Sequence, residues 1–227
     1  MKRLFSLLLV FLLLLSGCDQ SHSPAESQAP TETVDPHALR LTQESNVRKA
    51  TYEDKDAYTD YLDMAEKLFI IPGLKQVLTP QGIAICPSTG RTYISAYSVD
   101  DVPSVVIVTE KDTNELVAEY YLYNADGTPF TSHVGGVALT DTYMYLSDTV
   151  DADGNYRIAA IPLSELPAEG AHNISVTETI VMAMSPSMLN YSEGYLWVGN
   201  FYYPKGKYEL SPNMPFTTVA SDGSEYG

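Results

Sequence analysis

The triplet Tyr93-Ile94-Ser95 returns as Tyr145-Leu146-Ser147 and again as Trp197-Val198-Gly199, each time 52 residues further along. A short apolar run precedes each copy: Gly82-Ile83-Ala84-Ile85, Gly136-Val137-Ala138-Leu139 and, more loosely, Met188-Leu189-Asn190-Tyr191. Downstream, Asp153-Gly154-Asn155-Tyr156 is matched after the same 52 residues by Lys205-Gly206-Lys207-Tyr208. A fixed period of this length means one supersecondary unit used repeatedly. Such a unit cannot bury its apolar face alone and buries it against the next copy.

Inside each unit, short apolar runs alternate with turn residues such as Ser88-Thr89-Gly90, the pattern of antiparallel strands. The first unit is expected to hold strands at about 82–86, 92–98, 104–109 and 116–123, and the second at about 136–140, 143–148, 156–162 and 174–181. Four strands repeating every 40 to 55 residues or so point to an all-β fold of β-propeller blades. A β-sandwich needs no such period, and the coils of a β-helix are shorter. The aromatic-aliphatic-small strand and the Gly-led inner strand resemble those of secreted and lipoprotein propellers of bacteria over residues 79–227. From Thr79 to Gly227 there are 149 residues, fewer than three periods, whereas propellers close with about four to eight blades. The expectation is a partial propeller of about three blades, the third reaching a turn at Ser221-Asp222-Gly223-Ser224 and lacking its outer strand. This reads as the N-terminal part of a longer protein or a truncated open frame, with an exposed edge free to pair.

The region before the repeats divides by composition. Lys2 and Arg3 precede an almost unbroken apolar run from Leu4 to Leu15, and Ser16-Gly17 puts small residues directly before Cys18. That order is a secretory signal, too short for a stable membrane span. Leu15-Ser16-Gly17-Cys18 resembles the bacterial lipobox. The resemblance implies that residues 1–17 are removed and that Cys18 carries the lipid, palmitate included, on the extracytoplasmic face of the cell membrane. Residues 18–50 are rich in Ser, Pro, Glu, Gln and Thr, which reads as a disordered tether with an r.m.s. reach of roughly 30 Å. Residues 51–78 are expected to form a short amphipathic helix and a lead-in segment. Thr51 and Asp54 resemble a capping box, Tyr58, Tyr61, Leu62, Ala65, Leu68 and Phe69 make one apolar stripe, and Pro72-Gly73 ends it.

Charge narrows the partners. Removing residues 1–17 takes away Lys2 and Arg3 and no acidic residue, so the formal charge moves from −16 to −18. An acidic chain is repelled by nucleic acid and by anionic bilayers, so membrane attachment rests on the lipid. With Cys18 committed to lipid, Cys86 stands alone; no intrachain disulfide is available, and a buried thiol behaves as a small hydrophobe. No cofactor or metal is expected. His-Glu-x-x-His, Gly-x-Ser-x-Gly, the phosphate-binding glycine loop and Cys-x-x-Cys are all missing from the sequence. Asp151, Asp153 and Asn155 open like a calcium loop, but Gly154 falls at the fourth position and Pro162 at the twelfth.

The candidate ligand-binding residues come from the repeat. His133 stands in Thr131-Ser132-His133-Val134-Gly135-Gly136, just before the inner strand of the second unit, where glycines permit close backbone approach. Tyr97, Thr149 and Phe201 are equivalent across the units, as are Ala96, Asp148 and Asn200, and Tyr202 extends the aromatic run. His133, Tyr97, Asp148, Phe201 and Tyr202 are therefore expected to form an aromatic rim suited to a glycan or an envelope protein. The function expected is a membrane-anchored binding or interaction module. The alternatives are an exported propeller enzyme, lactonase-like or glycan-cleaving, whose site is completed by further blades, and an assembly scaffold.

Overall fold

The computed structural model describes residues 35–44, 59–66, 68–98, 100, 102–150, 154–201, 218–219, 223 and 225–226. Cys18, most of the tether, the helix start at 51–58, Asp151, Asp153 and Tyr202 lie outside the described residues. The described part is all-β and is divided among several sheets that do not close.

The first unit follows its sequence pattern. β1 (Thr79–Ile85), β2 (Thr92–Tyr97), β3 (Val105–Thr109) and β4 (Leu116–Asn124) form an antiparallel meander in chain order. The β1–β2 turn needs a positive φ at Gly90, 71°, which glycine adopts without steric cost. In the second unit, β5 (Val137–Leu139), β6 (Tyr143–Val150) and β7 (Tyr156–Pro162) pair in the same way.

The predicted fourth strand at 174–181 requires correction, because the structure divides it between two sheets. β8 (Gly170–Val176) leaves the second unit and joins β4 in parallel, making the first sheet five-stranded. β9 (Glu178–Met182) then returns to pair antiparallel with β7. Burial explains the choice. Ala171, Ile174 and Val176 are buried in β8, while Ile180 and Val181 of β9 stay exposed. A run of apolar and polar residues does not say which sheet it will join.

The third unit shows two strands among the described residues, β10 (Met188–Ser192) and β11 (Tyr195–Gly199), fewer than the three expected. A separate hairpin, β12 (Thr218–Val219) and β13 (Glu225–Tyr226), brackets the predicted turn at Gly223. Tyr93, Tyr145 and Trp197 do lie in equivalent second strands of three different sheets. Their cross-strand partners are Ala84, Ala138 and Asn190.

Sheet stacking follows from the pleat, since residues two apart share a face. Tyr93, Val106, Val108, Tyr120 and Leu122 cover one face of the first sheet and pack with Val137, Leu139, Leu146 and Ile161 of the second. Each such aliphatic side chain gains about 1.5–3 kcal/mol from full burial. The opposite face carries Ile94, Ala96, Val105 and Ile107, and it is covered by Leu41, Phe69, Ile71 and Leu78 from the chain before β1.

That covering overturns the extent of the predicted helix. α1 (Thr59–Met64) ends before Ala65, Leu68 and Phe69, well short of Pro72-Gly73. A helix this short has little stability of its own. Phe69 and Ile71 instead reach the first sheet from a segment without regular secondary structure, and Leu68 is left exposed.

Residues 35–44 fall within the stretch read as a tether, yet they make specific contacts. The Arg40 and Leu41 amides donate to Glu119 Oε1 at 2.8 and 2.7 Å, and the Tyr121 hydroxyl donates to Glu119 Oε2 at 2.8 Å. Glu119 is fully buried, so these donors replace the water it has lost. The His37 carbonyl accepts from the Ala171 amide at 2.9 Å, and the His37 and His172 rings stack 4.4 Å apart. Composition alone missed this strap because its anchors are mostly backbone groups.

Candidate functional site

The loop from Thr131 to Gly136 is held between the first two sheets by serines. Ser95 Oγ accepts from the Gly82 amide at 3.0 Å and donates to the Val134 carbonyl at 2.7 Å. Ser147 repeats the first bond one unit later, accepting from the Gly136 amide at 2.9 Å. Ser132 donates to the Ser147 carbonyl at 3.3 Å, and Ser104 donates to the Ser132 carbonyl. All four serines are buried, so each bond also removes a desolvation penalty.

This network fixes a strained backbone. Val134 is fully buried at φ 45°, the left-handed region that a β-branched residue rarely adopts. Gly135 passes so close to Ser187 that a Cβ would come within 2.8 Å of its carbonyl oxygen. The result is a rigid loop that turns His133 outward while its neighbours Ser132 and Val134 point into the core.

His133 is exposed and stacks on Tyr97, ring centroids 4.5 Å apart and planes 21° from parallel. Two of the residues singled out from sequence are thus brought together from different units. An exposed imidazole against a phenol ring offers a flat apolar surface with hydrogen-bonding groups at its edges.

The other candidates have different surroundings. Asp148 is buried and ion-paired with Arg157, Nη2 to Oδ2 2.8 Å. Removing Arg157 would take away the cation that faces this buried carboxylate. Phe201 stands 52% exposed just beyond β11, and Tyr202 lies outside the described residues. Asn200, the third-unit counterpart of Asp148, holds a buried Oδ1 with no hydrogen-bond partner among the described residues.

A groove of about 350 Å³ runs where the first strands of the three units converge. Ile83, Ile85, Val137, Leu139, Asn190 and Tyr191 are among its lining residues. Cys86 sits at the end of β1, buried, with Sγ 3.3 Å from Ser88 Oγ. Burial pushes its thiol up, but hydrogen bonds from Ser88 and Thr89 outweigh that and hold it below the usual thiol value. Among the described residues no three His, Cys, Asp or Glu side chains cluster as a metal would need, and no helix is long and apolar enough to cross a membrane.

Sequence reasoning missed the serine network and Arg157. The signal for the network was present: Ser95 and Ser147 close the first two copies of the repeated triplet, and Gly82 and Gly136 open the two inner runs. The chain matches no protein-family model, no curated protein and no solved structure.

Proposed function

We propose that this protein is a lipid-anchored binding module on the extracytoplasmic face of the cell membrane, with propeller-like blades that present a ligand-contacting rim. Three features of the stacking support the propeller-like reading. Gly82 of the first unit meets Val137 of the second, Gly136 of the second meets Leu189 of the third, and the three first strands share one groove. The anchor reading rests on the basic, apolar and small-residue order before Cys18.

The binding reading is carried by one observation, the stack of exposed His133 on half-buried Tyr97, on a loop held by buried serines. A rigid aromatic surface loses little entropy on binding, and its polar edges suit a ring-bearing polar ligand such as a sugar. Asp148 is engaged by Arg157, so direct contact is assigned to His133 and Tyr97, with Phe201 and Tyr202 as rim residues. Screening the mature protein on an envelope-glycan array tests the reading. It expects a binder whose signal falls in His133→Ala, and an array with no binder would reject the glycan class. Separately, Cys18→Ala is expected to release the protein from membranes.

A further inference from the structure

The strap over residues 35–44 has two anchors of different chemistry. Glu119 holds its middle through the Arg40 and Leu41 amides. His37 holds its N-terminal end: the His37 carbonyl accepts from the Ala171 amide, and His37 Nδ1 lies 3.1 Å from the Ala171 carbonyl oxygen. Next along β8, His172 Nε2 lies 2.8 Å from the Glu169 carbonyl oxygen. The two imidazole rings face each other, centroids 4.4 Å apart and planes 23° from parallel.

A carbonyl oxygen only accepts, so both of these ring nitrogens carry hydrogen. That leaves His37 Nε2 and His172 Nδ1 as the atoms that take up a proton. Protonation therefore breaks neither hydrogen bond. What it changes is charge, because two imidazolium ions then face each other across the stack. Among the described residues neither ring is ion-paired with a carboxylate. On the strap, the Asp35 carboxylate accepts from the His37 amide and the Arg40 guanidinium lies over the Tyr121 ring. On β4, Glu119 is taken up by the strap amides and the Tyr121 hydroxyl. Before β8, Glu169 meets His172 through its carbonyl, and Arg91 donates to the Ala168 carbonyl while paired with Glu110.

We propose that the stacked His37–His172 pair is an acid-released latch on the N-terminal end of the strap. Histidine is the side chain that ordinarily changes charge between about pH 5 and 8. One charge in the stack is tolerated, whereas two like charges at 4.4 Å repel. In the released strap the rings are apart and take up both protons without that repulsion. The released state thus binds more protons, and falling pH favours it. Glu119 grips the chain beyond the latch, at Arg40 and Leu41. Release therefore frees residues 35–38 and the Ala171 amide at the edge of the first sheet and leaves the rest of the strap in place. The latch is independent of the anchor and glycan readings.

Amide exchange at Ala171 in the mature chain carrying Cys18→Ser reads the latch, expressed as protection relative to an unstructured chain at each pH. Protection should fall at least about fivefold from about pH 7.5 to about pH 5, the factor for two charges this close in bulk water. The Arg40 and Leu41 amides should keep theirs. His37→Phe and His172→Phe each keep a ring in the stack and remove one of the two charges, so the fall should shrink to less than about twofold. Ring-proton NMR of the parent chain gives a second reading that needs no variant: the two imidazoles should take up their protons in separate, coupled steps. Ala171 protection that is the same at both pH values would overturn the proposal, as would two rings that titrate independently. So would an equal fall in both phenylalanine variants, which would assign the acid response to carboxylates instead.

Discussion

Gly82 lies against Val137: a Cβ on Gly82 would fall 3.0 Å from the Val137 backbone nitrogen. The same relationship recurs one unit later and tighter, with a Cβ on Gly136 only 2.4 Å from the Leu189 nitrogen. Glycine is needed at both places for room rather than for φ. Gly82→Ala is expected to cost about 1–3 kcal/mol by overpacking, and Gly136→Ala more, since backbone cannot step aside. Thermal melts of the two variants check the order. Equal, negligible losses would mean that the sheets sit further apart.

Glu119 is the pin of the strap. Glu119→Gln keeps an oxygen for the Arg40 and Leu41 amides, whereas Glu119→Ala strips both amides and the Tyr121 hydroxyl of their acceptor. A hydrogen bond to a buried charged group contributes about 1.5–3 kcal/mol, so the alanine variant should lose at least that much and the glutamine variant less. Hydrogen exchange across residues 35–44 is the direct readout. Fast exchange there in the native protein would remove the strap from the account.

Much of this was legible in the sequence, and the boundary is a physical one. The strands of the first unit could be placed because local alternation and turn residues decide antiparallel meanders. The destination of 170–176 could not, because pairing β8 in parallel with β4 depends on contacts some fifty residues away. The apolar stripe through Leu68 and Phe69 fits a helix as well as it fits a segment laid on a sheet, and only the uncovered face under Phe69 decides between them. At the rim, repeat spacing found Tyr97 and the Gly-Gly loop drew attention to His133. Asp148 carried the same spacing signal, but its partner Arg157 lies on the neighbouring strand, where no periodicity pointed.

The tyrosines set an alkaline limit. Burial, followed by the Glu119 hydrogen bond, pushes Tyr121 up, and burial does the same to Tyr120 and Tyr93. A phenol whose folded pKa lies above its unfolded value stabilises the fold fully below about pH 10, and that stability is lost as pH rises through the folded value. Tyrosinate absorbance should therefore rise first from exposed rings, and the buried fraction should appear together with loss of the β-sheet circular dichroism. Full ionisation with the sheets intact would contradict the burial of Tyr120.

Ser95→Ala and Ser147→Ala separate the loop from the ligand. Each removes one hydroxyl that receives a glycine amide, and Ser95→Ala also frees the Val134 carbonyl. The expected loss is about 1–3 kcal/mol for buried groups left unsatisfied, larger at Ser95. Chemical denaturation measures it.

The central claim is that the stacked pair Tyr97–His133 touches ligand. The most direct measurement is calorimetric titration of a glycan selected on the array into the mature protein and into Tyr97→Ala and His133→Ala. The account predicts at least about tenfold weaker binding in each variant, equivalent to about 1.4 kcal/mol, with His133→Ala leaving the melting temperature nearly unchanged because its ring is exposed. Unaltered affinity in both variants, or a loss of affinity in His133→Ala that only tracks a loss of stability, would contradict it.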